Sequence, residues 1–413
     1  MRELAEMKPT AGTAAPCGIP ALPAQICFPL AGDIPVGGGH VSVLLLIRNL
    51  DRRRYRPILA VHGDGPVRRW LAQQGFAHDI ELLSGRVQGR RAAWLRDAVF
   101  VTRRSWALAR FLRQRKVAIV HVNDTIMLGT WALATRLAGV KLLWHKRGPT
   151  YNRWLHRIWS QIADHVILIS EFAAPPPPSP KCSLIYNPFE AKPECDRAAC
   201  RTAVLQEMGL PAEVRILGFF ADLDKERKRP VVFLEAIARI GERSPHLAVA
   251  GLLFGQYSAD TGRSLRAYAE SLGIASRVHF MGFRYPPDPW YAACDLLVVP
   301  SVREGFGRTL VEAMLLGTIA VAADSGGHRE IIDHGETGFL VRPDDAHAFA
   351  DQICDLLERP DEIARLAGRA RDDAEQRFGI AQHVRALSGV YDALLSGGSA
   401  RLPAASQPTT PAL

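Results

Sequence analysis

Short apolar segments of strand length alternate along most of the chain with longer segments whose apolar positions recur at helical spacing. The first short segment, Gln25–Ala31, is followed by the apolar stretch Val41–Leu50, and the alternation continues to Ile169 before it resumes at Val214. Apolar runs bounded by turn residues are typical of parallel strands covered on both faces, and the intervening segments are typical of crossover helices. The pattern predicts an α/β protein built on doubly wound parallel sheets.

A polar, cysteine-containing stretch at residues 191–201 separates the two runs of alternation, and we predict an interdomain linker there. The first domain is then expected over residues 25–190 and the second over residues 202–378. Residues 1–24 carry Pro and Gly where a secretion signal needs an uninterrupted apolar core, so they are interpreted as a disordered leader. Residues 396–413 are rich in small and polar residues and are expected to form a disordered tail.

The composition is compatible with two full hydrophobic cores, because the 413 residues are 48% hydrophobic and 23% charged. The longest apolar runs fall well short of the roughly 20 residues that span a bilayer, so no transmembrane helix is predicted. The cysteines have no C-x-x-C spacing, which argues against a disulfide framework or a zinc site and favours a reducing cytosol. They are Cys17, Cys27, Cys182, Cys195, Cys200, Cys294 and Cys354.

Positive charge is concentrated in the first half of the chain. Residues 1–190 hold 26 Lys and Arg against 12 Asp and Glu, whereas the remainder holds 25 against 30. An anionic membrane surface or a phosphate-bearing acceptor explains such an excess, and solvated arginine-rich helices explain it equally well. No nucleic acid partner is expected, because no RNA-binding or helix-turn-helix pattern accompanies the charge.

The stretch Pro300–Met314, PSVREGFGRTLVEAM, joins a short apolar strand to a helix predicted over Arg308–Leu316. A glycine-rich turn between strand and helix directs free N–H groups and the positive end of the helix dipole toward an anion. Glu304 lies at the mouth of this turn and Glu312 about one and a half turns into the helix, so both can face one cavity. Two simpler alternatives stay open: Glu304 is a carboxylate favoured at a helix N-terminus, and Glu312 pairs with Arg308.

The two glutamates, with seven residues between them inside EGFGRTLVEAM, resemble the signature of the retaining glycosyltransferases of family 4. The resemblance covers roughly residues 25–395 and implies the GT-B fold, in which two Rossmann-like, doubly wound parallel-sheet domains face an interdomain cleft. It also implies that a helix at residues 379–395 crosses back onto the first domain. In this family the glutamate at the position of Glu312 holds the ribose hydroxyls of the donor nucleotide, and the one at Glu304 contacts the donor sugar. The intervening backbone approaches sugar and diphosphate, which adds to the expected donor site Gly305, Phe306, Gly307 and Thr309.

Two further glycine turns and one lysine match donor-contacting positions of the family. The triple glycine after the first strand, Gly37, Gly38 and Gly39, matches a loop of the family near the donor phosphates and the acceptor, although the pattern alone favours a flexible turn. Gly326 and Gly327 match a small-residue turn beside the donor, and Lys228 matches the lysine that neutralises the nucleotide diphosphate.

One departure from the family pattern lies at Asp222, near which the family has an arginine and where a carboxylate repels diphosphate. Either Arg227 or Lys225 supplies the missing charge, or the diphosphate site is weakened. Phe283 lies in the loop expected to read the base, where it either stacks on the base or packs in the core.

Two residues at the end of the strand KLLWH are candidates for the acceptor side of the cleft. His145 closes this strand, and such a histidine is more often a packing residue, but members of the family often have a histidine there that faces the transferred sugar. His145 is therefore predicted to be catalytic together with Glu304. Arg147 is a candidate for binding an acidic acceptor or a phosphate.

The resemblance implies a hexosyltransferase that moves a sugar from a nucleotide diphosphate donor to a glycan or lipid-linked acceptor in cell-surface polysaccharide or lipopolysaccharide assembly. Retention of configuration, no metal and no cofactor beyond the nucleotide sugar are expected, with a cytoplasmic location at the inner face of the membrane. The alternatives are a GT-B nucleotide-sugar epimerase, a non-catalytic nucleotide-sugar-binding partner subunit, and a basic nucleic-acid binder.

Overall fold

The computed structural model describes residues 22–83, 94–148, 153–174, 181–193 and 195–397. Residues 1–21 of the predicted leader and residues 398–413 of the predicted tail lie outside this part of the chain. None of the described helices is both long and apolar enough to cross a membrane.

The first sheet has the strand order β3-β2-β1-β4-β5-β6-β7, and all pairings between its described strands are parallel. Its strands are β1 Ala24–Ala31, β2 Tyr55–His62, β3 Ile80–Leu83, β4 Val117–Val122, β5 Lys141–Lys146, β6 His165–Leu168 and β7 Cys182–Leu184. The central strands are almost wholly buried, as expected for a parallel sheet with helices on both faces.

The helices of the first half are α1 Gly38–Asn49, α2 Pro66–Leu71, α3 Trp94–Gln114, α4 Thr125–Ala138 and α5 Arg153–Ile162. Helix α4 shows how local sequence sets such boundaries. The Asp124 side chain accepts a hydrogen bond from the N–H of Met127 at 2.7 Å and caps the first turn, and Gly139 ends the helix with a φ of 69°.

The second sheet has the order β10-β9-β8-β11-β12-β13 and is again parallel between its described strands. Its strands are β8 Arg215–Phe220, β9 Val249–Phe254, β10 Val278–Gly282, β11 Leu296–Val299, β12 Ile319–Ala323 and β13 Phe339–Val341. Its helices are α6 Arg197–Met208, α7 Pro230–Arg243, α8 Ala259–Ser271, α9 Asp288–Ala293, α10 Arg308–Leu315, α11 Ala346–Leu357 and α12 Pro360–Phe378. The prediction of two doubly wound parallel-sheet domains is confirmed.

Helix α6 begins at Arg197, within the stretch predicted as a linker. The Arg197 guanidinium donates to the carbonyl oxygens of Cys294 and Leu316, both at 2.9 Å. These bonds hold α6 against the second domain. The non-helical segment that connects the two domains is therefore shorter than the linker predicted at residues 191–201.

A final helix, α13 Ile380–Leu395, packs on the first domain. Leu387, Val390 and Tyr391 are buried in the same core as strands β1 and β2. The Tyr55 hydroxyl donates to Asp392 Oδ1 at 2.5 Å and lies 3.1 Å from the carbonyl oxygen of Ser388. The chain therefore crosses between the domains twice, which limits how far they can separate.

Candidate functional site

Glu304 lies in the turn between β11 and α10 and forms two ion pairs with residues that follow β8. Its Oε1 is 2.5 Å from Lys228 Nζ and 2.5 Å from Arg227 Nη1. Strands β8 and β11 are neighbours in the sheet, and the N–H of Val302 donates to the carbonyl oxygen of Arg227 at 2.8 Å. Residues far apart in sequence therefore meet at the carboxyl edge of the sheet, where α/β proteins bind ligands.

The Glu304 carboxylate is buried yet ionised at neutral pH. Burial by itself would raise its pKa, but the charges and hydrogen bonds of Lys228 and Arg227 outweigh burial and hold the pKa below its usual value. Such a group is a permanent negative charge that can accept hydrogen bonds from sugar hydroxyls, and it is poorly suited to donate a proton.

The turn Gly326–Glu330, a short 3₁₀ helix, packs directly on the backbone around Glu304. The N–H of Gly327 donates to the carbonyl oxygen of Glu304 at 3.0 Å. A Cβ on Gly327 would lie 2.6 Å from the carbonyl oxygen of Phe306, and one on Gly326 would lie 2.5 Å from that of Glu304. The two glycines are needed because no side chain fits between these turns.

Glu312 projects from α10 and is held by two side chains. Its Oε1 lies 3.2 Å from Arg308 Nη2, and its Oε2 accepts from the Tyr291 hydroxyl at 3.2 Å. The pair with Arg308 that was considered as a simple alternative is therefore present. Because the Tyr291 ring is buried and stacked on Phe220, with ring centroids 3.9 Å apart, the carboxylate is fixed from the side of the second domain.

Arg308 also reaches the first domain. Its Nη1 donates to Ser42 Oγ of α1 at 2.9 Å, and its guanidinium lies 4.3 Å from the centroid of the Phe189 ring. A Cβ on Gly38 would lie 2.5 Å from Arg308 Cδ. Glu312 is thus joined through one arginine to the first turns of α1, which places it at the boundary between the domains.

Two further contacts close the domain boundary beside Glu304. Ser170 Oγ, after β6, donates to the carbonyl oxygen of Gly305. The Glu330 carboxylate accepts from the N–H groups of Glu171 at 2.7 Å and Phe172 at 2.9 Å. Burial raises the pKa of Glu330, although these N–H groups favour its charged form.

The Phe306 side chain is buried at the same boundary. Its ring packs against Tyr186, Phe189 and Phe378, with centroids 5.8, 6.3 and 5.6 Å away. Since the ring is enclosed by aromatic residues, only the backbone of Phe306 is left to approach a donor. Gly307, with a φ of 121°, follows it, and Thr309 is half-buried in the first turn of α10.

His145 is completely buried at the end of β5. It stacks between His121 and His383, with ring centroids 5.4 and 5.9 Å away, and its Nδ1 lies 3.3 Å from both His121 Nε2 and Arg147 Nη2. Burial first, and then the charge of Arg147, hold its pKa well below the usual value, so it is neutral. In this conformation His145 has no exposed surface, and its catalytic role stays a prediction.

Arg147 lies beside α1, on the first-domain side of the boundary. A Cβ on Gly39 would be 3.2 Å from Arg147 Cδ. Arg147 donates to Asn123 Oδ1 at 2.9 Å and to Asn187 Oδ1 at 2.7 Å. Gly38 and Gly39 thus lie against Arg308 and Arg147, and both glycines are at the domain boundary.

The structure distinguishes the two candidates for the charge missing near Asp222. Arg227 contacts Glu304, whereas Lys225 Nζ lies 3.8 Å from Asp222 Oδ2. Arg227 is therefore the cation that the fold brings to the site, and Asp222 is partly compensated by Lys225. The Phe283 ring is 65% exposed, so the alternative that it packs in the core is wrong.

Four polar residues at this boundary were not predicted in their observed roles. Ser42, Asn187 and Tyr291 were not predicted to belong to the site, and Arg308 was predicted only as a possible partner of Glu312. Only Arg308 lies inside the recognised motif. The others become neighbours through the packing of α1, α9 and the end of the first domain, for which no local pattern exists. In the described part of the chain, no group of three or more His, Cys, Asp or Glu side chains could hold a metal ion.

Two family models match this chain. Residues 36–175 match the model described as Glycosyltransferase Family 4, and residues 214–359 match the model described as Glycosyl transferases group 1. The chain belongs to glycosyltransferase family 4. The family predicted from EGFGRTLVEAM is confirmed.

Curated relatives of this family 4 protein match about half of it. It is 32% identical over 204 residues to a D-inositol 3-phosphate glycosyltransferase of Corynebacterium glutamicum, covering 48% of each chain. It is 29% identical over 199 residues to the lipopolysaccharide core biosynthesis mannosyltransferase LpsB of Rhizobium meliloti, covering 47% of this chain and 56% of the relative. The chain therefore spans only about half the length of the curated relatives it matches.

Solved structures match over almost the whole chain. A glycosyltransferase from Rickettsia africae aligns with a TM-score of 0.78 and 19% identity, covering 91% of this chain and 100% of that one. Anabaena Alr3699/HepE in complex with UDP and glucose aligns with a TM-score of 0.74 and 23% identity, covering 89% and 99%. At these identities the likeness establishes the shared two-domain GT-B fold.

Proposed function

We propose that this family 4 protein transfers a hexose from a nucleotide diphosphate donor to a glycan or lipid-linked acceptor. The observation that carries the proposal is the ionised Glu304, held by Lys228 and Arg227 at the carboxyl edge of the second sheet, with Glu312 nearby at the domain boundary. Support comes from the names of the relatives and from Alr3699/HepE, which binds UDP and UDP-glucose in its solved structures.

Each charged group has a distinct part in the proposed donor site. Glu312 accepts hydrogen bonds from the ribose hydroxyls, and Glu304 accepts them from hydroxyls of the donor sugar. Lys228 and Arg227 share their charge between Glu304 and the diphosphate. The backbone N–H groups from Gly305 to Thr309, at the start of α10, face the same phosphates. Gly326 and Gly327 keep the turn under the sugar in place.

We propose that transfer retains the anomeric configuration and proceeds without a metal ion. The bond between the anomeric carbon and the diphosphate oxygen breaks, and the acceptor oxygen bonds to the same face of that carbon. The acceptor proton passes to the leaving diphosphate. Cations and the α10 dipole stabilise the charge that develops on the diphosphate, which is the largest contribution in sites of this kind. The predicted role of His145 beside the donor sugar requires the side chains that bury it to move, because it has no exposed surface in this structure.

The acceptor side is assigned to the first domain, which is the basic half of the chain. Its excess of Lys and Arg favours an acceptor carried at an anionic membrane surface from the cytoplasmic side. LpsB of Rhizobium meliloti is named for lipopolysaccharide core biosynthesis, and on that basis we propose a role in cell-surface glycan assembly.

Binding and turnover of a panel of nucleotide sugars test the proposal. Thermal stabilisation by UDP, GDP and ADP identifies the nucleotide, and release of the nucleoside diphosphate from its sugar conjugates then identifies the sugar. Glu304→Gln and Glu312→Gln are compared with Glu242→Gln, which alters an exposed carboxylate on α7. We expect loss of sugar release in Glu304→Gln, loss of nucleotide stabilisation in Glu312→Gln, and no change in the control.

The rival functions give different results in the same assay. A non-catalytic partner subunit is stabilised by the nucleotide sugar but releases no diphosphate, and an epimerase interconverts two nucleotide sugars. A protein that responds to none of the nucleotides, and binds RNA or DNA with a steep salt dependence instead, contradicts the proposal.

A further inference from the structure

Cys195 and Cys200 are neighbouring thiols at the place where the chain enters the second domain. Their Sγ atoms are 3.2 Å apart, which is within hydrogen-bond distance for sulfur and longer than a covalent S–S bond. Both side chains keep some exposure to solvent, whereas those of Cys27, Cys294 and Cys354 are buried. The two sulfurs are therefore close enough to be joined and open enough to be reached by a reagent.

The contact between the two thiols follows from the way α6 begins. Asp196 is the N-cap, and its side chain accepts a hydrogen bond from the N–H of Ala199 at 2.9 Å. Cys195 precedes the cap and Cys200 is the fourth residue of the helix, which are the two positions that pack together in a hydrophobic staple. A staple fixes the angle at which the chain enters a helix. Apolar side chains do this by packing alone, but two thiols can also be joined covalently.

The segment before Cys195 is one of the two crossings between the domains. At its start, Phe189 forms a parallel bridge with Gly379, where the second crossing begins. Further along, the carbonyl oxygen of Lys192 accepts a hydrogen bond from Arg371 of α12 at 3.1 Å. The path of this segment is therefore set by contacts along its length and, at its end, by the contact between the two thiols.

A cleft of about 330 Å³ gives access to Cys195. Besides Cys195, its lining includes Leu315 and Leu316 at the end of α10, and Ala364 and Ala367 of α12. A small thiol or disulfide can therefore reach the Cys195 side chain. The cleft also lies at the opposite end of α10 from the turns that form the candidate donor site, so a reagent bound there does not compete with the donor.

We propose that Cys195 and Cys200 form a redox modification site, at which a low-molecular-weight disulfide converts the two thiols into one intramolecular disulfide that fixes the linker and slows turnover. The effect on turnover rests on the proposed transferase function, whereas formation of the bond does not. Disulfides of this kind in a reducing compartment are usually transient and redox-sensing.

The bond forms in two exchange steps. The Cys195 thiolate attacks one sulfur of the reagent disulfide and expels the other half as a thiolate. Cys200 then attacks Cys195 Sγ in the mixed disulfide, expels the second half and gives up its proton to that thiolate. The two cysteines lose two electrons and two protons in total, and the reagent leaves as two thiols.

The order of the two attacks follows from the surroundings of the thiols. Cys195 lines the cleft. Burial first, and then the hydrogen bond to Cys195, raise the pKa of Cys200 to about 11, so Cys200 is a poor nucleophile in the reduced pair. This hydrogen bond is lost once Cys195 is in the mixed disulfide, which makes Cys200 easier to deprotonate. Because the two sulfurs are already in contact, we expect the second step to be faster than the first.

Mass spectrometry of the full-length protein tests the site. The protein is reduced, freed of reductant, incubated with oxidised glutathione and alkylated, and peptide mapping then shows the fate of each thiol. Wild type is compared with Cys195→Ser and Cys200→Ser. The matched control is Cys182→Ser, which replaces a partly exposed cysteine of β7.

In the wild type we expect a disulfide between Cys195 and Cys200 and no lasting mixed disulfide. In Cys200→Ser, glutathione is expected to stay on Cys195, because no second thiol displaces it. In Cys195→Ser, Cys200 is expected to remain a thiol that the alkylating reagent modifies. The Cys182→Ser control is expected to form the same disulfide as the wild type.

Two further measurements report on the linker. The oxidised wild type is expected to melt about 2–4 °C above the reduced protein, because the bond restricts the unfolded chain. It is also expected to release nucleoside diphosphate from its sugar conjugate at about half the rate or less, because domain closure turns about the linker. Dithiothreitol should reverse both changes, and neither change should occur in Cys195→Ser or Cys200→Ser.

Complete alkylation of both thiols after treatment with oxidised glutathione would overturn the site, and so would glutathione found equally on Cys182 and Cys195 of Cys200→Ser. A disulfide that forms and leaves turnover unchanged would overturn its control of the linker. If a serine variant does not fold, the corresponding alanine variant replaces it. A reduced protein that turns over no nucleotide sugar refutes the transferase proposal, while peptide mapping still decides whether the disulfide forms, so the two failures are distinguishable.

Discussion

The ammonium group of Lys228 lies 2.5 Å from the carboxylate of Glu304, although 76 positions separate the two residues in the chain. Arg227 reaches the same oxygen at the same distance. The contact forms because β8 and β11 are adjacent in the second sheet and both end at its ligand-binding edge. It makes Glu304 a buried, ionised group whose charge depends on its partners.

Replacement of Lys228 by Gln is expected to make the stability of the protein depend less on pH in the acid range. The pKa of Glu304 lies below its ordinary value of 4.5 in the folded protein, so the unfolded chain takes up this proton first as the pH falls. The stabilisation is therefore present above that value and is lost as the pH falls through the lower, folded pKa. With one cation removed, the folded pKa moves up toward the unfolded value, so less stability is lost as the pH falls, although the variant is less stable at neutral pH. Urea unfolding of the wild type and the variant across this pH range measures the change in the free energy of unfolding. Lys141→Gln, which replaces an exposed lysine, is the control. Identical pH profiles would show that Lys228 does not set the charge of Glu304.

Glu312→Gln is expected to weaken binding of the nucleotide donor by about 10- to 100-fold, because a charged acceptor of hydrogen bonds is worth about 1.5–3 kcal/mol. Tyr291 and Arg308 hold this carboxylate in place, so Tyr291→Phe should give a smaller loss through poorer positioning. Isothermal titration calorimetry with the nucleoside diphosphate measures the affinity of both variants. Unchanged affinity in Glu312→Gln would exclude Glu312 from the donor site.

Gly327→Ala is expected to destabilise the fold by about 2–4 kcal/mol, because the new methyl group meets backbone that cannot move aside. The Cβ would lie 2.6 Å from the carbonyl oxygen of Phe306 and 2.7 Å from its Cα. Gly368 in α12 is the matched control, since a Cβ there meets nothing within 4 Å. Gly368→Ala should stabilise by up to about 1 kcal/mol through helix propensity. Denaturant unfolding compares the two, and a Gly327→Ala variant as stable as wild type would contradict the close packing of these turns.

The stacked histidines His121, His145 and His383 are expected to make stability fall steeply below about pH 6.5. Burial is the main cause that lowers the pKa of each, that of His383 to about 3. The unfolded chain therefore binds protons that the folded protein does not, so stability is present above the unfolded pKa and is lost as the pH falls. Three such groups give a slope of about 4 kcal/mol per pH unit.

His383→Gln should reduce this slope by about a third, and His246→Gln, which replaces an exposed histidine, controls for the loss of a histidine elsewhere. The free energy of unfolding between about pH 5 and pH 7 gives the slopes. A slope in His383→Gln equal to that of wild type would show that His383 is not neutral in the folded protein.

Much of the site could be predicted from local sequence because its parts lie within single turns. Glu304, Gly307 and Glu312 belong to one strand–turn–helix unit, whose spacing fixes where the carboxylates stand relative to the helix end. The alternation of apolar segments likewise predicted parallel strands and their order along the chain. The sequence also showed that His145 ends a strand. It did not show that His145 is completely buried between two other histidines, because His383 belongs to a helix 238 positions later in the chain.

The sequence by itself determined the fold class, the family and the residues of each Gly-rich turn, because hydrophobic period and turn chemistry act over a few neighbouring positions. Tertiary structure alone decided which cations meet Glu304, that Arg308 links Glu312 to Ser42, and that Arg147 donates to Asn123 and Asn187. These relations depend on which strands are adjacent in each sheet and on how one domain packs against the other. Such contacts join residues distant in the chain through long-range packing, which leaves no periodic trace in the sequence.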